Sequence, residues 1–323
     1  MNFPNFGRVI VIALSTIAWS PAYSQFPVRA VTLVVPYPPG GGTDAGARLI
    51  ASKLTERWGQ ATIVENKPGA AGIPGAEWVA KSKPDGYTLL MGDIGTQAIN
   101  PSLHKKLPYD ADHAFAPVSL VAELPLVLLI HPSVNAKLPR DLIGLAKAKP
   151  GQLAYSSSGI GGSMHLAAVL FEGMARVQLF HVPQKGVAPA ISELVGGRVN
   201  LSFATVLDSI GHIKAGSLRA LAVTSAQRLP SMPALSTVAE SGVPGYISTS
   251  WIGVLAPAGT SAAIVDKIAK DIQRAVTTPD VQHKLIEQGA VPVGSSPAQF
   301  RALIDRDRRR YARLIQEKNI TAE

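Results

Sequence analysis

Short apolar runs typical of β-strands alternate with helix-period patterns along most of this chain. The first run, Val31–Val35, is followed by apolar positions that share one face of a helix, at Ala47, Ile50, Ala51, Leu54 and Trp58. The next segments predict two strands and a short helix, at Ala61–Glu65, Thr88–Met91 and Gly75–Ser82. This order predicts a βαβαβ unit with right-handed crossovers and a parallel sheet.

A second series of elements begins after two apolar runs, Pro117–Ala122 and Leu126–His131, which Glu123–Pro125 separates. Its predicted strands and helices are Leu153–Ser156, Ser163–Met174, Leu179–Val182, Ala188–Val195, Val199–Phe203 and Arg219–Thr224. A late strand, Ser250–Ala256, precedes a mostly helical segment that begins at Ser261. We therefore predict an α/β fold of two lobes, with crossover segments near Glu123–Pro125 and Gly242–Ser250. The C-terminal ends of both sheets would face a shared cleft.

The first 24 residues have the pattern of a secretory signal peptide. Arg8 precedes the apolar stretch Val9–Trp19, and Ala22 and Ser24 supply small residues for cleavage after Ser24. The stretch is shorter than the roughly 20 apolar residues that span a bilayer. We predict residues 1–24 as signal peptide, residues 25–124 plus 245–323 as lobe 1, and residues 125–244 as lobe 2. The expected location is the periplasm, which also suits a chain with no cysteine.

The composition excludes a disordered polyelectrolyte, because 46% of the residues are hydrophobic and only 16% are charged. The net charge of +9 gives the protein a general attraction for anions. The densest basic cluster lies on the last predicted helix, which also has an apolar face, and it comprises Arg306, Arg308, Arg309, Arg310 and Arg313. We interpret this cluster as a solvated helix face, and we expect a monomer with no nucleic-acid partner.

Two glycine-rich loops each connect a predicted strand to a predicted helix. The first is Tyr37–Asp44, with Thr43 or Asp44 as the expected N-cap, and the second is Ser156–His165. Backbone N–H groups at a helix N-terminus form a site for an anion. Loops at Asn66–Gly72 and Gly92–Thr96 also follow strands. The residues predicted to bind a ligand are Tyr37, Pro39, Gly40, Gly41, Thr43, Asp44, Asp93, Thr96, Ser156, Ser157, Gly159, Gly162, Ser163, His165 and Lys185.

Several of these residues also have a purely structural interpretation. Glycines in turns are needed wherever φ is positive, with or without a ligand. His165 could donate to an anion or serve as a partly buried structural histidine. Lys185 could place an ammonium group at the rim of the cleft or remain solvated. Asp44 and Asp93 could cap helices instead of contacting a ligand.

Enzyme motifs are weak or missing in this sequence. Gly40–Ala45 fits the loose dinucleotide pattern G-x-G-x-x-A, and Glu65 ends the next predicted strand, so an NAD-dependent Rossmann-type oxidoreductase is the alternative function. The sequence contains no P-loop, no H-E-x-x-H and no G-x-S-x-G motif. Its histidines lack metal-ligand spacing. We predict no catalytic residues, no metal site and no cofactor.

Motifs along the whole mature chain resemble the tripartite tricarboxylate transporter receptors, the Bug-type periplasmic binding proteins. They are Tyr37–Asp44, Asn66–Gly69, Pro84–Thr88, Asn100-Pro101, Leu107–Asp110, His181–Pro183, Lys185-Gly186, Leu218–Val223 and Trp251–Gly259. The resemblance implies a type II periplasmic binding protein fold that closes over a carboxylate-bearing solute. It also implies that the first loop holds the ligand carboxylate and that Asp93–Thr96 and Ser156–Ser163 complete the pocket. The implied partner is a membrane transporter, and a membrane sensor is the other possibility.

Two departures from the family pattern bear on the ligand. Gln184 stands where the family usually has Tyr, and Ala204 follows Phe203 where the family usually has Asp. The acidic group that would favour an amino substituent is therefore missing at position 204, which we include among the residues at the site. This substitution predicts a ligand without an amino group.

Overall fold

The computed structural model describes residues 26–322, so the predicted signal peptide lies outside the described residues. The strands of this part of the chain are β1 (Val31–Val35), β2 (Thr62–Asn66), β3 (Thr88–Asp93), β4 (Phe115–Ile130), β5 (Ala154–Ser157), β6 (Phe180–Pro183), β7 (Leu201–Thr205), β8 (Arg219–Val223), β9 (Thr249–Pro257) and β10 (Val291–Pro292). The helices are α1 (Gly42–Trp58), α2 (Ile73–Ala80), α3 (Asn100–Leu103), α4 (Pro139–Ala148), α5 (Ser163–Ala175), α6 (Val187–Val195), α7 (Val206–Lys214), α8 (Ala262–Val276), α9 (Pro279–Glu287) and α10 (Pro297–Glu317).

The first sheet has the strand order β2-β1-β3-β9-β4. Strand β1 pairs in parallel with β2 and β3, as the βαβαβ pattern predicts. Strand β9 then inserts between β3 and β4 and runs antiparallel to both. The parallel pairing predicted for the βαβαβ unit is therefore confirmed, and an antiparallel strand from far along the chain extends its sheet.

The second sheet shares β4 with the first. Residues Leu126–Ile130 of β4 pair antiparallel with β7 and β8, while β5 pairs in parallel with β6 and β7. The sequence predicted two separate runs here, whereas β4 is one continuous strand. Pro125 lies opposite Thr249, at the point where β4 passes from one sheet to the other, and for this reason it does not end the strand. Beyond it, the Leu126 N–H donates to Thr224 Oγ1 at 2.9 Å.

Each sheet has its own hydrophobic core. In the second lobe the core forms around β4, β7, α5 and α6 and includes the buried rings of Phe171, Phe203 and Tyr246. In the first lobe α1 and α8 pack together against the sheet, with Ile50 and Ile268 fully buried in the same cluster. Helix α10 covers a further cluster through residues such as Phe300 and Ile304.

The strands of both sheets end beside the place where β4 changes sheets. Strands β1 and β3 run in the same direction as β4, because β9 is antiparallel to both β3 and β4, so they end on the side of Pro125. In the second sheet, Leu126 of β4 lies opposite Thr205 at the end of β7, and β5 and β6 run parallel to β7. The loops after β1, β3, β5, β6 and β7 therefore surround one cleft, the usual ligand position in open α/β sheets.

Candidate functional site

Helix α1 begins directly in the glycine-rich loop, without a side-chain cap. Its N-cap is Gly41 and its first residue is Gly42, so the prediction of Thr43 or Asp44 as the N-cap was wrong. The first intrahelical bond runs from the Ala45 N–H to the Gly41 carbonyl. The N–H groups of the first turn therefore have no intrahelical acceptor. No side chain of the described residues caps this end of the helix.

Asp44 holds the loop from inside the first turn of α1 and is almost fully buried. Its Oδ2 accepts hydrogen bonds from the Gly40 N–H at 3.0 Å and the Arg48 Nε at 2.9 Å. Its Oδ1 accepts from Asn66 Nδ2 at 2.9 Å, and the same amide group donates to the Tyr37 carbonyl at 3.0 Å. Burial by itself would raise the pKa of Asp44, but these hydrogen bonds outweigh it and hold the pKa below its usual value.

A second carboxylate, which is partly buried, joins the loops after β1 and β3. Asp93 Oδ2 accepts from the Tyr37 hydroxyl at 2.9 Å, and Oδ1 accepts from the Thr96 N–H at 3.0 Å and hydroxyl at 2.9 Å. Burial raises the pKa of Asp93, and burial beside Asp93 raises the pKa of Tyr37 well above 10, so Tyr37 stays a donor. Gly72 and Gly95 lie so close to the Tyr37 hydroxyl that a Cβ would come within 3.2 and 3.1 Å of it.

The loop after β5 has the same construction on the other lobe. Helix α5 begins at Ser163 with Gly162 as its N-cap, again without a capping side chain. Gly159 and Gly161 have φ of +135° and +77°, which a side chain would strain. A Cβ at Gly161 would come within 2.1 Å of Leu103 Cδ2, so the loop of one lobe lies directly against α3 of the other.

Four side chains beneath this loop form a compact polar and aromatic cluster. His165 Nδ1 accepts from the Gly161 N–H at 2.9 Å, so the neutral ring carries its proton on Nε2. The rings of His165 and His181 stack at 4.1 Å, and Tyr155 stacks on His181 at 4.7 Å. Ser157 Oγ lies 2.7 Å from His181 Nε2. Burial lowers the pKa of both histidines to about 4, and at His165 the neighbouring His181 contributes to this shift.

Other predicted site residues lie in different surroundings. Ser156 is fully buried, and its hydroxyl donates to the Ala190 carbonyl of α6 at 2.7 Å. Ala204 is also fully buried, in the core of the second lobe, and pairs with Val127 of β4. Lys185 and Pro39 are exposed.

His181 and Asn66 were not among the predicted ligand-binding residues, although each stood in a sequence motif that we noted. His181 packs beneath the β5–α5 loop and Asn66 beneath the β1–α1 loop. Their side chains bond to or stack on neighbours that are distant in the sequence. No local periodicity marks such a role.

The helices of the described residues differ in how they begin. Helices α7, α8 and α10 have capping side chains, from Thr205, Ser261 and Ser296. Helices α1 and α5 instead have the glycine N-caps Gly41 and Gly162 and no capping side chain, as is also true of α2 and α6, with Gly72 and Gly186. Each such N-terminus attracts an anion by about 0.3–1 kcal/mol at an exposed site and more when buried. The arrangement can therefore hold negatively charged groups on backbone donors.

The dinucleotide interpretation gains no support from the geometry. Glu65, the expected ribose-binding acid, forms an ion pair with Lys67 at 2.6 Å. Over residues 26–322 there is no cluster of three or more His, Cys, Asp or Glu side chains arranged to hold a metal ion. Over the same residues no helix is long and apolar enough to cross a membrane.

Comparison with known proteins gives consistent similarities along the chain. The family profile described as "Tripartite tricarboxylate transporter family receptor" matches residues 46–320. The "UPF0065 protein in tcbD-tcbE intergenic region" of Pseudomonas sp. (strain P51) is 37% identical over 328 aligned positions, which cover 99% of this chain and 97% of that protein. Protein BugT of Bordetella pertussis is 36% identical over 320 positions, which cover 98% of each chain.

Solved structures give the same result for the fold. The structure "R. palustris Rpa4515 with adipate" superposes with a TM-score of 0.84 at 38% identity, covering 92% of this chain and 99% of that one. MatC from Rhodopseudomonas palustris with bound malate superposes with a TM-score of 0.79 at 32% identity, covering 90% and 100%. These similarities confirm the predicted type II periplasmic binding protein fold. The chain therefore belongs to the tripartite tricarboxylate transporter receptor family, whose members are periplasmic solute-binding receptors.

Proposed function

We propose that this protein is an exported receptor that captures a small carboxylate-bearing solute between its two lobes. The observation that carries the proposal is the pair of uncapped helix N-termini at the cleft, one on each lobe, each with a glycine N-cap. The adipate and malate bound to the two related structures support a carboxylate as the ligand. The solute would then pass to a tripartite tricarboxylate-type transporter, or its capture would be read by a membrane sensor.

The lobes of this receptor would close around the ligand by a hinge motion. We propose the division predicted from the sequence, with lobe 1 at residues 25–124 plus 245–323 and lobe 2 at residues 125–244. The change of sheet along β4 at Leu126 and the start of β9 at Thr249 support this division. We further propose a monomer whose first 24 residues are removed on export. Mass spectrometry of the secreted protein tests the cleavage after Ser24.

The ligand we propose lacks an amino group. An ammonium substituent needs an acidic partner in the cleft, and the carboxylates beside the first loop are already engaged. Asp44 accepts three hydrogen bonds from the protein and so does Asp93, while position 204 is a buried alanine. Calorimetric titration with adipate, malate, aspartate and NAD tests this proposal. We expect saturable binding of a dicarboxylate and none of NAD, whereas tight binding of aspartate would contradict the selectivity.

The variant Gly41→Asp tests the site itself. Gly41 has φ of −82°, and a Cβ there would meet no heavy atom within 4 Å, so an aspartate fits without strain. Its carboxylate would cap α1 and occupy the N–H groups that we assign to the ligand. Each lost charge-assisted hydrogen bond contributes about 1.5–3 kcal/mol, so we expect affinity to fall roughly tenfold to a hundredfold or more.

Thermal stability of Gly41→Asp should stay the same or rise, since the helix gains a cap. The matched control is Ser261→Asp, which places the same charge at the exposed N-cap of α8, far along the chain from either loop. We expect this control to bind adipate as tightly as the wild type does. Equal binding by Gly41→Asp and the control would overturn the assignment of the α1 N-terminus to the ligand.

A further inference from the structure

The imidazole of His165 holds the turn between β5 and α5 by a hydrogen bond to its backbone. The Gly161 N–H is buried and finds its acceptor in His165 Nδ1, one turn into the helix that the loop begins. An imidazole nitrogen accepts a hydrogen bond only when it carries no proton, so this contact requires a neutral His165. The stack on His181, at 4.1 Å and with ring planes 10° apart, holds the ring in the orientation that the bond needs.

A second set of contacts extends the support to the start of the turn. Ser157 Oγ accepts from the Gly159 N–H at 3.2 Å and lies 3.1 Å from the Gly159 carbonyl. The same hydroxyl is 2.7 Å from His181 Nε2. The two stacked histidines therefore hold two successive parts of one turn, at Gly159 and at Gly161.

The opposite side of the turn lies against the other lobe. Leu103 of α3 packs on Gly161 so closely that no side chain would fit between them. The turn thus lies between the histidine pair of its own lobe and an apolar contact from lobe 1. Its conformation sets both the direction of the first N–H groups of α5 and the fit between the lobes.

We propose that His165 is a positioning residue of the ligand site, which acts as a neutral imidazole stacked on His181 to hold the β5–α5 turn in its ligand-binding shape. The inference rests on the receptor function proposed above. Loss of the Nδ1 acceptor leaves the buried Gly161 N–H without a partner, which favours rearrangement of the turn. The N–H donors of α5 then lose their orientation and the ligand is held less tightly.

Protonation removes the acceptor in the same way as a mutation does. The titratable groups that face His165 are His181 from β6 and Tyr155 from β5, and a positive charge on His181 disfavours one on His165. Burial lowers the pKa of both histidines to about 4, so the turn stays fixed at neutral and mildly acidic pH. Acidification towards pH 4 releases it.

The experiment compares His165→Asn with His165→Leu in the full mature protein. The Asn side-chain oxygen is as many bonds from Cβ as His Nδ1 is, so it can accept from the Gly161 N–H but does not titrate. Leu fills space and accepts nothing. The readouts are hydrogen exchange of the Gly161 amide, measured by NMR without ligand between pH 7 and pH 4, and the Kd for adipate at pH 7. The matched control is His283→Gln, because the His283 side chain lies on α9 and is 74% exposed.

We expect His165→Leu to speed exchange at Gly161 and to weaken adipate binding at least tenfold, while His165→Asn recovers most of both. The protection factor of the Gly161 amide is the intrinsic exchange rate divided by the measured rate, so it is corrected for the intrinsic pH dependence of exchange. In the wild type this factor should fall towards pH 4, whereas in His165→Asn it should stay constant. Unchanged protection in His165→Leu, or equal pH profiles in wild type and His165→Asn, would overturn the proposal. If wild type binds no carboxylate, the receptor function fails, and the exchange data still decide whether His165 holds the turn. If His165→Leu does not fold, the pH profiles decide.

Discussion

Gly161→Ala is the substitution that most directly tests the contact between the lobes. It adds one methyl group at a position with φ of +77°, where an L-residue costs about 1–2 kcal/mol of backbone strain. The new Cβ would lie 2.1 Å from Leu103 Cδ2 and 2.9 Å from Cδ1. Such overpacking costs about 1–3 kcal/mol. We therefore expect a loss of about 2–5 kcal/mol in the free energy of unfolding, the sum of these two terms.

A second substitution separates the two terms. Leu103→Ala removes the atoms that the new Cβ would meet, and because Leu103 is 8% exposed it should itself cost about 2–5 kcal/mol. In that background Gly161→Ala should cost only the backbone strain, about 1–2 kcal/mol. The double-mutant cycle should therefore show a favourable coupling of about 1–3 kcal/mol.

Urea unfolding, monitored by tryptophan fluorescence, gives the free energy of unfolding of the wild type, the two single variants and the double variant. Each value comes from the transition midpoint, with the dependence of the free energy on urea held constant. The control is Gly41→Ala, since Gly41 has φ of −82° and open space around a Cβ. Its free energy of unfolding should change by less than about 1 kcal/mol. If Gly161→Ala costs the same in both backgrounds, within about 0.5 kcal/mol, the lobes do not meet at this point and the reasoning is refuted.

Three further predictions concern buried polar groups. Trp251→Phe should destabilise the protein by about 1–3 kcal/mol in thermal unfolding, because Asp307 Oδ2 loses the indole N–H that donates to it at 2.9 Å inside the core. Asp44→Ala should lower the free energy of unfolding at neutral pH, and its difference from wild type should shrink as pH falls below about 4, because the folded-state pKa of Asp44 lies below its unfolded value. His165 and His181 are neutral when folded but bind protons near pH 6.5 when unfolded, so wild-type stability should decline as pH falls from 6.5 towards about 4. His165→Asn should reduce that decline, and urea titrations at several pH values test both pH predictions.

Local patterns predicted the elements that local physics determines. The apolar face of α1 and the glycine-rich loop between β1 and α1 are both predicted from residues that lie within about 25 positions of each other. The structure has both where expected. The continuity of β4 could not be predicted in this way, because Pro125 is normally a break in a strand. It is tolerated because the strand exchanges partners there, from β9 to β7 and β8. Those partners come from distant parts of the sequence.

The basic cluster of the last helix shows the same limit. From sequence we interpreted it as a solvated face, yet Arg308 is largely buried, with 16% of its side chain exposed. Its guanidinium donates to the Gln97 carbonyl at 2.9 Å and to the Ala111 carbonyl at 3.0 Å. The solvated-face interpretation was therefore wrong for Arg308. A stretch of arginines predicts charge, but only the three-dimensional neighbours decide which of them support the loops of the first lobe.

Several side chains that we predict to bind the ligand also hold the loops around the cleft in place. Asp44, Asp93, Ser157 and His165 each form hydrogen bonds with the loops around the cleft, and all except the partly buried Asp93 do so from a buried position. Such residue types are expected in these loops, because polar side chains collect where backbone groups need partners. In the proposed receptor the ligand would then be held mainly by the backbone donors that these side chains orient. Selectivity would depend on the shape of the turns, so substitutions beneath a turn, such as those at His165, should change affinity as strongly as substitutions that face the cleft.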